Sequence, residues 1–86
     1  MKSRALPSFW AAYEALPESV KRSARKAFQL WLDSPFHPSL HFKCIQAKEG
    51  VWSVRISLGH RALCFLEGDT AVWFWVGGHD DYEKHF

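Results

Sequence analysis

Residues 70–86 read TAVWFWVGGHDDYEKHF, and the fold turns on how this stretch is understood. Val72, Trp73, Phe74, Trp75 and Val76 form an aromatic, β-branched run that suits a pleated, half-buried surface, so it is expected to be a central strand of a sheet. Gly77 and Gly78 are then expected to turn the backbone sharply, because glycine takes positive φ without a steric penalty. That would present His79, Asp80, Asp81, Tyr82 and His85 at the end of a rigid strand, where chemistry is commonly placed. The plainer reading is that His79 and Tyr82 merely cap the end of a small domain.

Working back from this strand, residues 40–46, 51–57 and 61–67 also alternate as strands. The links at 47–50, 58–60 and 68–69 are of hairpin length, so neighbouring strands must be antiparallel. In the first strand Leu40, Phe42 and Cys44 oppose His41 and Lys43. In the second, Val51, Ser53 and Arg55 oppose Trp52, Val54 and Ile56. The third strand is apolar on both faces. Assigning Ala62, Cys64 and Leu66 to the core puts Arg61 beside Arg55 and leaves Leu63 and Phe65 exposed, an apolar patch that needs a cover. His41, Lys43, Ser53 and Arg55 are expected on the open face.

Before the strands come two helices. Ser8 is an expected N-cap for a short helix whose apolar residues Phe9, Trp10, Tyr13 and Leu16 fall at three- and four-residue intervals. Pro17 ends it and opens the next helix, with Glu18 well placed in the positive first turn. The second helix is expected to run to about Asp33, since Ser34-Pro35 disfavours continuation. Its stripe Val20, Ala24, Ala27, Phe28, Trp31 and Leu32 should face the core, with Lys21, Arg22, Arg25, Lys26 and Gln29 opposite. The segment before Pro7 is short and interrupted by that proline, leaving at most a vestigial strand. The expected fold is α+β: one domain over residues 1–86, with two N-terminal helices packed on one face of a four-stranded antiparallel meander.

Composition agrees with a single folded unit. The chain has 86 residues, 48% of them hydrophobic, with five tryptophans, which is enough for a two-layer core and too little for a second module. No window approaches the length of a membrane span, and the start MKSRALPSFW lacks the apolar core of a signal peptide, so a cytoplasmic protein without a membrane partner is expected. Cys44 and Cys64 belong to no C-x-x-C pair and the five histidines lack finger spacing, so no metal or other cofactor is expected. Net charge is only +2. The basic run from Lys21 to Lys26 reads as a solvated helix face rather than an RNA groove.

The ordered pieces LPESVKRSARKAFQLW, SPFHPSLHFK, VWSVRISLGHRAL and VWFWVGGHDDYEKHF resemble the RelE/ParE superfamily of bacterial toxins, in particular the small ParE-like and RelE-like toxins of type II toxin–antitoxin operons. The resemblance covers nearly the whole chain. It implies a metal-independent, ribosome-dependent mRNA endoribonuclease (an mRNA interferase), acting on ribosome and mRNA and held inactive by a cognate antitoxin. A ParE-like inhibitor that binds DNA gyrase, or an inactive interaction module of the same fold, are the alternatives.

Metal-free RNA cleavage needs a base for the 2′-hydroxyl, cations for the charged phosphorane and an acid for the leaving oxygen. Arg55 and Arg61, on adjacent strands, are suited to grip one phosphate. By resemblance Arg61, within HRAL, matches the family's phosphate-contacting arginine, and His79 matches its C-terminal acid or base. Tyr82 completes the catalytic candidates. Lys43, His41, His60 and His85 are candidate RNA or phosphate contacts, with Phe86 as a lesser one. A plain ion pair from Arg55 to Asp80 or Asp81 is the competing role for that arginine. Trp73 and Trp75 read as core or partner surface. The antitoxin's disordered segment is expected to fold over Leu63 and Phe65.

Overall fold

The aromatic run lies inside the sheet, as its composition demands. The structure, a computed structural model, describes residues 1–81. Strand β1 (Lys2–Ala5) leads into helices α1 (Pro7–Glu14) and α2 (Glu18–Asp33) and a 3-10 turn (Pro38–Leu40). Strands β2 (Lys43–Gln46), β3 (Val51–Ser57), β4 (His60–Glu67) and β5 (Thr70–Gly78) follow. The sheet order is β1-β5-β4-β3-β2. The antiparallel meander is present, and both helices pack on one of its faces.

The sheet has five strands and is mixed, which corrects the four-stranded expectation. β1 pairs parallel with β5, Lys2 opposite Thr70 through Ala5 opposite Trp73. Pro7 does not interrupt this strand. It is the first residue of α1, where a missing N–H costs nothing. Ser8 is not the cap either. Its hydroxyl donates to the Phe74 carbonyl at 2.8 Å, at the bulge where Phe74 has no partner on β4, so it fills an acceptor the ladder leaves open and ties α1 to β5.

Helix α2 has the expected bounds but a narrower buried seam. Ala24, Ala27 and Trp31 are buried, whereas Phe28 and Leu32, one residue further round, are 37% and 44% exposed. Trp31 is the centre of the core, edge-on to Phe42 and to Trp73 with ring centroids 5.8 and 5.3 Å away. The basic residues of α2 serve the helix pair: Lys21 meets Glu14 at 3.4 Å, and Arg25 donates to the Tyr13 hydroxyl at 2.7 Å.

Two further expectations change. The first meander strand begins at Lys43, because Pro38–Leu40 forms a 3-10 turn and His41 adopts a left-handed backbone, φ +46°. Leu40 and Phe42 are buried, but Cys44, on the edge strand, is exposed. Cys64 sits mid-sheet, where burial pushes its thiol up to about 12 and keeps it neutral. Nor do Gly77 and Gly78 turn the chain: β5 continues through both, and the positive-φ glycines are Gly50 and Gly68. Gly77 is needed for space. A Cβ there would lie 2.8 Å from Trp75 Cη2 and closer still to Cζ2, so the indole lies across the glycine. Among the described residues no helix is long and apolar enough to cross a membrane.

Candidate nucleic-acid interface

On the face away from the helices, the register sets Arg55 opposite Arg61 and Arg61 opposite Gly77. The next row is Lys43, Ser53, Leu63 and Trp75. Arg55, Arg61 and Lys43 therefore share one side, as the alternation predicts. His41 joins them. Arg55 Nη1 is 3.2 Å from His41 Nε2, and because a guanidinium only donates, that ring nitrogen is the unprotonated acceptor. The left-handed backbone at His41, just past the 3-10 turn, precedes the strand that carries Lys43. The ion pair of Arg55 with Asp80 or Asp81 does not form; its partner is His41.

Arg61 is held differently. Its Nη1 donates to the carbonyls of Ser57 and His60 at 2.9 and 2.8 Å, with Leu58 O at 3.4 Å, so the guanidinium folds onto the β3–β4 turn. The same turn fixes His79: its backbone N–H donates to Gly59 O at 2.7 Å, where β5 gives way to a helical turn. Arg55, Arg61 and His79 thus gather at one end of the sheet. His60 does not join them. The pleat points it to the opposite face from Arg61, and its Nδ1 is 3.0 Å from the Ser57 hydroxyl. Tyr82, His85 and Phe86 lie outside the described residues. Among the described residues no three His, Cys, Asp or Glu side chains cluster as a metal site.

The expected exposure holds at His41 and Lys43 but fails at the centre of this face. Ser53 is 2% and Leu63 1% exposed, and Val51 and Val72 are buried with them. Phe65 is half-buried, its ring stacked on Phe74 at 4.4 Å. The alternation places each residue on its correct side, but Phe65, Phe74 and Trp75 flank the strip between them, so the centre is dry. Trp75 was read as core or partner surface; that its ring lies across Gly77 was not foreseen. The available signal was Gly77 two residues later on the same face, an empty position beside a large ring.

The sequence matches the model of the ParE-like toxin domain over residues 18–84. The chain therefore belongs to the ParE-like toxin domain family. No curated protein sequence matches it significantly. Among solved structures, it resembles the toxin in a RelB-RelE antitoxin-toxin complex from Methanococcus jannaschii, with a TM-score of 0.77 and 14% identity over 96% of this chain and 98% of that one. A YoeB/ParE toxin from Agrobacterium tumefaciens gives 0.71 and 20% over 92% and 99%. The RelBE2 toxin-antitoxin complex from Mycobacterium tuberculosis gives 0.70 and 18% over 91% and 96%. At these identities the structural likenesses establish a shared fold.

Proposed function

We propose that this chain is the toxin of a type II toxin–antitoxin module and cleaves mRNA on the ribosome without a metal ion, in the cytoplasm. The observation that carries this reading is the cross-strand pair Arg55 and Arg61, with Lys43 and His41 on the same side and His79 anchored at the adjoining turn. In the reaction a base takes the 2′-hydroxyl proton, the 2′-oxygen attacks the neighbouring phosphorus, and the bond to the 5′-oxygen breaks as that oxygen takes a proton. The products are a 2′,3′-cyclic phosphate and a 5′-hydroxyl. Arg55 and Arg61 hold the charge of the phosphorane. His79 acts as acid or base, since an imidazole suits either role near neutrality, and Tyr82 is its proposed companion. Lys43, His41 and His85 contact flanking phosphates.

The cognate partner is an antitoxin, as in the two solved complexes above. Its acidic and apolar segment would neutralise Arg55 and cover Phe65 with Phe74; Leu63 is too deeply buried to take part. A second reading, inhibition of DNA gyrase by binding, is favoured by the ParE-like family model and by the engagement of Arg61 Nη1 with the turn carbonyls.

Primer extension on translated messages after induced expression tests both. New 5′ ends within coding regions, lost in a folded Arg55→Ala or His79→Ala variant, are the expected result. Intact messages with loss of plasmid supercoiling would transfer the function to gyrase, and unimpeded growth would mark an inactive module.

A further inference from the structure

β2 pairs with β3 only as far as Ser53, so from Val54 to Ser57 β3 has no strand neighbour on that side. Beside this free stretch, between it, the 3-10 turn and α2, opens a cleft of about 260 Å³. Its floor is aliphatic, with Leu30, Leu40 and Ile56, and its charged residues are Lys26 and Arg55. Among the described residues no carboxylate lines it. The three serine hydroxyls of the wall are engaged locally: Ser23 donates to the Ser19 carbonyl at 3.3 Å, Ser39 Oγ is 2.9 Å from His37 Nδ1, and Ser57 Oγ is 3.0 Å from His60 Nδ1. The cations are not. On α2, Lys21 is paired with Glu14 and Arg25 with Glu18, whereas Lys26 makes no hydrogen bond or ion pair with the described residues. Arg55 directs one guanidinium nitrogen to His41 and keeps further N–H donors.

Two like charges on one cleft repel, and an anion shared between them removes that cost, so the ligand this wall selects is an anion with an apolar body. Arg55 is also the cross-strand partner of Arg61, which makes the cleft continuous with the arginine pair around the end of β3. A strand whose scissile phosphate lies on that pair leads its neighbouring nucleotide over this edge. At the roughly 20–30 Å³ that each packed non-hydrogen atom occupies, the volume suits about nine to thirteen of them, the size of a nucleobase. Building on the ribonuclease reading, we propose that this cleft is a second nucleotide subsite. It holds the RNA nucleotide next to the scissile phosphate, with that nucleotide's own phosphate shared by Lys26 and Arg55 and its base over Leu30 and Ile56.

Adenosine 5′-monophosphate and adenosine differ only in the phosphate, so they isolate the claim. In ¹H–¹⁵N spectra of the full chain, the monophosphate should move the amides of Ala27, Ile56 and Ser57 and bind about three- to fivefold more tightly than adenosine. Lys26→Gln should bring the two together, while Lys48→Gln, which removes the same charge at the β2–β3 turn, should leave the difference intact. A 2′-O-methylated RNA trinucleotide, which cannot be cleaved, should bind more tightly than the mononucleotide, and Lys26→Gln should lower the slope of its log affinity against log salt by about 0.7, one single-strand phosphate. Equal binding of monophosphate and adenosine, shifts away from the cleft, or a Lys26→Gln variant that behaves like Lys48→Gln would overturn the proposal. So would a mononucleotide that binds as tightly as the trinucleotide, which would make this a site for free nucleotides, or displacement by a glutamate-rich peptide at lower concentration than by RNA, which would assign it to an acidic partner. Neither arm needs cleavage: intact messages alongside these shifts would sink the ribonuclease reading alone, and new 5′ ends without them would sink the subsite alone.

Discussion

On the helix side of the sheet, Val54, Ala62, Cys64 and Trp73 are packed with Ala27 and Trp31 of α2, as amphipathic elements of two layers should be. On the other side Val51, Ser53, Leu63 and Val72 are buried just as deeply, flanked by the Phe65–Phe74 stack and by the indole lying over Gly77. The difference shows that strand alternation reports the side a residue takes and not the water it sees. It also changes the setting of the arginines. Arg55 and Arg61 end a dry apolar strip instead of belonging to a polar surface, and charges beside low-dielectric material interact more strongly with a bound anion.

The sharpest way to break this comparison is Leu63→Asp. A carboxylate at a 1% exposed position, with apolar neighbours on both strands, should destabilise the fold by on the order of 4 kcal/mol or more, the sum of a lost leucine and a buried charge. Urea denaturation monitored by circular dichroism checks it. A loss below about 1 kcal/mol would mean that this face is wet and the sequence-based expectation correct.

Gly77→Ala probes the same face more gently. The added methyl falls within the ring of Trp75, so either the indole or the strand must give, at about 1–3 kcal/mol. The double variant Gly77→Ala with Trp75→Ala should show strong coupling, the alanine costing much less once the ring is gone. Additive effects would mean that the Trp75 ring is not what the added methyl meets.

Much of this was legible because it depends on short-range pattern. Hairpin-length links gave the meander, the proline pair at 17 and 35 bounded α2, and parity put Arg55, Arg61 and Lys43 together. What escaped depends on contacts distant in sequence. β1 is a four-residue edge strand whose pairing with Thr70–Trp73 leaves no local mark, and Pro7, a breaker by its chemistry, is the first residue of α1. The left-handed His41 that precedes β2, and the exposure of Phe28 and Leu32, depend on where the 3-10 turn and helix meet the sheet. A period of 3.6 marks an apolar stripe but not which edge of it stays outside.

The smallest expected effect distinguishes the two arginines. If Arg61 supports the β3–β4 turn as well as any phosphate, its truncation should cost stability: two part-buried carbonyl bonds at 2.9 and 2.8 Å are lost, and the expected loss is about 1–2 kcal/mol. Arg55 makes one exposed bond to His41, and Arg55→Ala should stay within about 0.5 kcal/mol of the wild type. Both variants should lose message cleavage under the ribonuclease reading, so the stability difference is independent of that activity. Arg61→Lys, which keeps the charge but not the planar fork that spans the turn, should fall between them in stability. Equal stabilities for Arg55→Ala and Arg61→Ala would show that the turn does not need its guanidinium. Arg61 would then be as much a surface cation as Arg55, and the two would form a symmetric anion clamp.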